Sequence, residues 1–112
     1  MTVTDSFDLT NQVAVVTGGG TGIGEGIAKV YARAGAKVVV AARRAEPIER
    51  VASDINAAGG EAIAVQTDVT HRSQLEALAD AAVDRFGSLS IWCNNAGGSP
   101  YRTPLTDLER DS

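Results

Sequence analysis

Thr17-Gly18-Gly19-Gly20-Thr21-Gly22-Ile23-Gly24 stands between an apolar run, Val13-Ala14-Val15-Val16, and a helix-like run from Ile27 to Ala34. A glycine-rich turn between a strand and a helix makes a phosphate site. Without side chains, the turn lets a pyrophosphate approach the backbone. The unpaired N–H groups of the first helical turn and the positive end of the helix dipole meet it there. The turn points to a dinucleotide, with Gly18, Thr21, Gly22, Ile23 and Gly24 around the diphosphate. A nucleoside-triphosphate loop would need Gly-Lys-Ser/Thr at the end of the turn, where Gly24-Glu25-Gly26 stands instead.

A second chemical position follows the next apolar run. A ribose 2′-OH wants an acidic acceptor about 20 residues past the glycines, whereas a 2′-phosphate wants a basic residue. Ala42 stands near that place, followed by Arg43 and Arg44. A carboxylate there would repel a dianionic phosphate. Alanine removes the repulsion, and a guanidinium can grip phosphate oxygens in a forked pair. The same missing acid argues against a methyltransferase-type nucleoside site. NADP(H) is therefore the expected cofactor, with Arg43 first and Arg44 second as its ligands and NAD(H) as the alternative.

The elements that must position these residues alternate. Residues 12–17 read as a buried strand and 22–34 as a helix stopped by Gly35. Lys37 to Ala42 is a second buried strand. Pro47 suits the first turn of the next helix, whose Ile48, Val51 and Ile55 share a face, ending near Gly59-Gly60. Ala62 to Val65 is a third strand. Thr70 is placed to cap a helix running to Phe86, with Leu75, Leu78, Ala82 and Phe86 on its core face and Gly87 ending it. Leu89 to Cys93 is a fourth strand, and Asn94 to Pro100 a loop. The pattern is βαβαβαβ, an α/β fold with a Rossmann-type parallel sheet covered by helices on both faces.

Four features in this order resemble the short-chain dehydrogenase/reductase family. They are the Thr17-Gly18-x-x-x-Gly22-x-Gly24 turn, the end of the second strand, Asp68-Val69 after the third strand, and Asn94-Asn95-Ala96-Gly97 after the fourth. The general G-x-G-x-x-G/A template fits no register of the turn. The resemblance spans nearly the whole sequence. It implies NAD(P)-dependent hydride transfer between an alcohol and a carbonyl. It also implies that Asp68 bonds the adenine amino group while the Val69 backbone supports the ring. One of Asn94 and Asn95 braces the sheet, and small Ala96 and Gly97 leave room for the cofactor. An arginine just past the second strand is associated with NADP(H) in the family. Thr21 departs from the basic residue that many NADP-preferring members carry in the turn.

The family's catalysis rests on Tyr-x-x-x-Lys, a preceding serine and an asparagine. Tyr31 is followed four places on by Gly35, and Tyr101 by Leu105, so neither makes the pair. Ser99 lies too early for the serine. No residue present is named as a catalyst. Thr106-Asp107-Leu108-Glu109 has capping-box spacing, yet only Arg110-Asp111-Ser112 follow. The expectation is a single dinucleotide-binding domain over 1–112, the first four strands of a truncated fold, inactive by itself. The alternative is a non-catalytic dinucleotide-binding module or a structural remnant. The family's strand order of three, two, one, four would leave the fourth strand as an open apolar edge. That edge predicts self-association or a homo-oligomer.

The totals agree with this reading. At 112 residues the chain suits one small domain, and its net charge of −4 argues against nucleic acid as partner. Cys93 is the only cysteine, so an internal disulfide is excluded and a cytoplasmic setting is expected. It reads as an inert strand thiol with Trp92 on the opposite face. His71, the sole histidine, reads as an exposed first-turn residue, and no metal site is expected. No apolar run reaches the ~20 residues of a membrane span.

Overall fold

A computed structural model describes residues 8–18, 20 and 22–95. Thr21, Ala96, Gly97 and the helix start expected at Thr106 lie outside the described residues. Seven elements follow in order: β1 (Val13–Thr17), α1 (Gly22–Arg33), β2 (Lys37–Ala42), α2 (Ala45–Ala57), β3 (Glu61–Gln66), α3 (Arg72–Phe86) and β4 (Ile91–Asn94). All strand pairs are parallel, in the order β3-β2-β1-β4.

That order dictates where the helices go. A right-handed crossover places its helix on one face when the chain steps one way along the sheet, and on the other face when it steps back. The steps β1 to β2 and β2 to β3 run the same way. The step β3 to β4 reverses across two strands. Accordingly, α1 and α2 share a face, packing Ala28, Ile48, Val51 and Ile55 onto Val16, Val38 and Val40. The helix α3 packs Leu78 and Ala82 onto Val13, Val15, Val39 and Ala41 on the other face. Strand side chains alternate between faces, so the uninterrupted apolar runs of β1 and β2 feed both cores. Fully burying a side chain such as Ile48 or Leu78 contributes about 1.5–3 kcal/mol. Trp92 joins the α3 side and Cys93 the α1–α2 side, as the alternation requires.

The reversal of direction lies between β1 and β4. In an open parallel sheet such a reversal marks a crevice at the carboxyl ends of the two strands.

Two expectations need correction. Thr70 does not cap α3. The helix begins at Arg72 behind His71, and no side chain caps it. The Thr70 hydroxyl instead donates to Asp68 Oδ1 at 2.6 Å, which also accepts the Thr70 N–H at 3.0 Å. A carboxylate two residues upstream is the stronger acceptor and claims the hydroxyl for a turn. The fourth strand is Ile91–Asn94 rather than 89–93. Ser90 Oγ accepts the Val13 N–H at 3.3 Å, while Ser90 N–H donates to the Val13 carbonyl at 2.9 Å. The hydroxyl takes part of the ladder's place, so regular pairing starts one residue later, at Ala14 and Ile91.

The helix stop at Gly35 holds. Its φ of +102° is one that L side chains rarely adopt, and a Cβ there would lie 2.9 Å from Thr10 Oγ1. The outer strand β3 carries its own cover. Asn56 of α2 donates to the Ala62 carbonyl at 3.0 Å and accepts the Ala62 N–H at 2.9 Å. One side-chain amide thus mimics a neighbouring strand at that edge. On the other side of the sheet, β4 pairs with β1 alone among the described residues, and Ile91, Trp92 and Cys93 are only half-buried.

Candidate functional site

The carboxyl ends of the four strands lie side by side, and each leads into a residue singled out by the sequence. Thr17 ends β1 and passes into Gly18, whose φ of +68° turns the chain sharply. The Gly18 N–H donates to the Ala41 carbonyl at 2.7 Å, so the turn begins anchored to β2. The chain then returns as α1. A Cβ on Gly24 would collide with the Gly18 carbonyl oxygen, would lie 2.7 Å from the Gly18 carbonyl carbon, and would come within 2.8 Å of Asn95 Nδ2. Turn and helix therefore meet backbone to backbone, with the Asn95 side chain beside them, at a position where no side chain fits. At Gly22 the opposite holds. A Cβ would meet nothing within 4 Å, so the fold itself makes no demand for glycine there. That open side carries the first-turn N–H groups of α1, which have no intrahelical acceptor, with Gly22 exposed and Ile23 73% exposed.

Thr17 fixes the other wall. It is 1% exposed, at the end of a strand otherwise wholly apolar. Its hydroxyl donates to Asn94 Oδ1 at 3.0 Å, with the Cys93 carbonyl further off at 3.4 Å, and it accepts the Asn95 N–H at 3.0 Å. One oxygen thus ties the ends of β1 and β4 together and orients both asparagines. The sequence motif includes Thr17 at the end of the strand and assigns it no role. The available signal was its polarity in a buried strand, since a buried hydroxyl needs partners.

Arg43 and Arg44 follow β2, and both are exposed. The Arg43 carbonyl accepts from Gln66 Nε2 at 2.9 Å, and the Ala42 carbonyl accepts the Thr67 N–H at 2.8 Å. The backbone at this tip is thereby anchored to β3. Arg44 occupies the N-cap of α2 without a side-chain cap bond. Among the described residues neither guanidinium forms an ion pair. Asp68 and Val69 follow β3, both half-buried. Gln74 Oε1 accepts the Asp68 N–H at 2.7 Å, holding this turn against α3. Thr70's hydroxyl, then its N–H, holds the Asp68 carboxyl below its usual value, with smaller pulls from His71 and Arg43.

Gly18, Gly22, Ile23, Gly24, Arg43, Arg44, Asp68, Val69, Asn94 and Asn95 thus all stand along one edge of the sheet. Direct contact joins Gly18, Gly24 and Asn95; the remainder are neighbours by strand order. The Cys93 thiol is pushed up by burial, away from the reactive thiolate form.

Comparison with known proteins gives a consistent answer. A profile of the short chain dehydrogenase family matches residues 12–112. The 7alpha-hydroxysteroid dehydrogenase of Escherichia coli K12 is 40% identical over 109 residues, covering 95% of this chain and 43% of that protein. The chain thus spans less than half the length of this curated relative. A crystal structure of hydroxysteroid dehydrogenase from Escherichia coli superposes with a TM-score of 0.81 at 40% identity, covering 96% of this chain and 47% of that one. A short chain dehydrogenase/reductase from Burkholderia phymatum in complex with NAD gives a TM-score of 0.73 at 40% identity, covering 77% and 31%.

Two predictions follow from this geometry. Thr17→Val keeps the shape but strips the half-buried Asn95 N–H of its acceptor, and it should cost about 1 kcal/mol in urea unfolding. An unchanged midpoint would show that the hydroxyl bridge carries no stability. Asp68 has a folded pKa below its ordinary 3.8, so its contribution is present above that value and lost as pH falls through the folded one. Urea midpoints of the wild type should therefore decline below pH 3.8 more steeply than those of Asp68→Asn. Parallel acid profiles would contradict the assignment.

Proposed function

The chain belongs to the short-chain dehydrogenase family, and on that footing we propose that it is the cofactor-holding part of an NAD(P)-dependent oxidoreductase acting on alcohols and carbonyls, with NADP(H) preferred over NAD(H). The observation that carries this reading is the closure of Gly24 onto Gly18 and Asn95 beside an open first turn of α1. The residues fit a dinucleotide. The N–H groups at Gly22, Ile23 and Gly24 would hold the diphosphate, with Gly18 and Thr21 beside them in the motif. Asp68 and Val69 take the adenine. Asn94 and Asn95, with Ala96 and Gly97 by the family resemblance, would serve the cofactor's inner end.

The preference for NADP(H) rests on the β2 tip. Ala42 offers no carboxylate, and Arg43 and Arg44 are exposed cations that form no ion pair among the described residues, Arg43 exerting only a weak pull on Asp68. Arg43 is the first ligand for the 2′-phosphate and Arg44 the second. The bound nicotinamide would supply the hydride, while the protein orients it. The relatives named for a hydroxysteroid support an alcohol or carbonyl as the substrate of the complete enzyme. One observation favours a second reading of the 112 residues taken alone, binding without turnover, because Tyr-x-x-x-Lys occurs nowhere among them.

Titration of the chain with NADPH and NADH, followed by nicotinamide fluorescence, tests the reading. NADPH should bind more tightly, and Arg43→Ala should weaken NADPH about tenfold, the loss of one charge-assisted contact, while leaving NADH unchanged. Equal affinities that Arg43→Ala leaves alone would refute the preference. Saturable binding without oxidation of NADPH by any simple carbonyl would favour the second reading.

A further inference from the structure

Gly20 sits against the first turn of α2. A Cβ built on it would lie 2.7 Å from Pro47 Cβ and 3.4 Å from both the backbone N and Cγ2 of Ile48. None of these contacts is the free end of a long, flexible side chain. Pro47 Cβ belongs to a ring fused to the backbone, and Ile48 is fully buried against the β1–β2 face. The glycine turn and α2 therefore fit without room for a methyl group. The span bearing Arg43 and Arg44 lies between two anchors. On one side are the Gln66 and Thr67 bonds to the Arg43 and Ala42 carbonyls. On the other is the seat of Pro47 on Gly20. Further along α2, Arg50 reaches Glu25 and Asp54 reaches Lys29, each at 3.4 Å. Solvated pairs of that length contribute little, so the apolar fit at Gly20 is the firmer attachment.

We propose that Pro47 is a positioning residue for cofactor selectivity: its ring carbon, seated where a side chain at position 20 would stand, holds the first turn of α2 against the glycine turn and sets where Arg43 and Arg44 meet the adenosine ribose. The inference rests on the NADP(H) reading above. Gly20 and Pro47 act as one complementary pair. A phosphate contact loses strength steeply once its geometry is disturbed, whereas a free 2′-OH makes no demand on the arginines. Disturbing the seat should therefore alter selectivity before it alters overall binding.

The test is the ratio of NADH to NADPH dissociation constants, measured on the full chain for Gly20→Ala, Pro47→Gly and the double variant. Gly20→Ala should lower the ratio about tenfold, with NADH affinity changing less than about threefold. The double variant places a methyl at position 20 in space that the Pro47 ring vacates and should restore the ratio to within about twofold. An unchanged ratio in folded Gly20→Ala, or a double variant no better than the single, overturns the proposal. If Gly20→Ala does not fold, Pro47→Gly decides, because removing the seat should also lower the ratio and an unchanged ratio overturns the proposal. Arg43→Ala separates this inference from its premise. If it lowers the ratio while the variants at 20 and 47 do not, only the positioning role fails. A wild-type chain without NADPH preference sinks both.

Discussion

The rest of the site depends on one close approach, that of α1 to the Gly18 carbonyl at Gly24. Helix α1 can start directly behind β1 only because Gly24 brings no side chain to that contact. The contact aims the first turn of α1 along the carboxyl edge of the sheet. It also places the Asn95 side chain against the turn, joining the β4 end to the same point. A single methyl there would press on backbone rather than on a flexible side-chain end, so the helix or the turn would have to move.

Around that contact the fold supplies anchors in series. The Thr17 hydroxyl ties β1 to the asparagines after β4. The Gly18 N–H ties the turn to β2, the β2 tip is tied to β3 by Thr67 and Gln66, and the turn after β3 is tied to α3 by Gln74. Every strand end is thus bonded to its neighbour before any ligand arrives. Pre-ordering of this kind lowers the entropy cost of binding. The exposed groups left over, the α1 N–H face and the two arginines, are those suited to an anionic ligand.

Much of this was legible in the sequence, for identifiable reasons. Glycines at a strand-to-helix junction have few explanations. The short alternating connections, with the hand of crossovers, fix which face each helix takes, and the family resemblance supplied the strand order. The misses came from side chains competing with the backbone. Thr70 suits a helix cap by type, yet Asp68 claims its hydroxyl, and Ser90 occupies the first ladder position of β4. Thr17 was legible as a polar residue in a buried strand, but its partners lie across the chain at Asn94 and Asn95. The fit of Gly20 to Pro47 leaves no local trace, since only the folded chain brings the two together.

The most direct test of the account is an amide NMR titration of the chain with NADPH. The central claim is that backbone N–H groups of the turn and the first turn of α1 hold the diphosphate. The N–H resonances of Gly22, Ile23 and Gly24 should then show the largest shifts, and ADP-ribose should reproduce them without the nicotinamide. Saturable binding that leaves those three resonances in place would contradict the account.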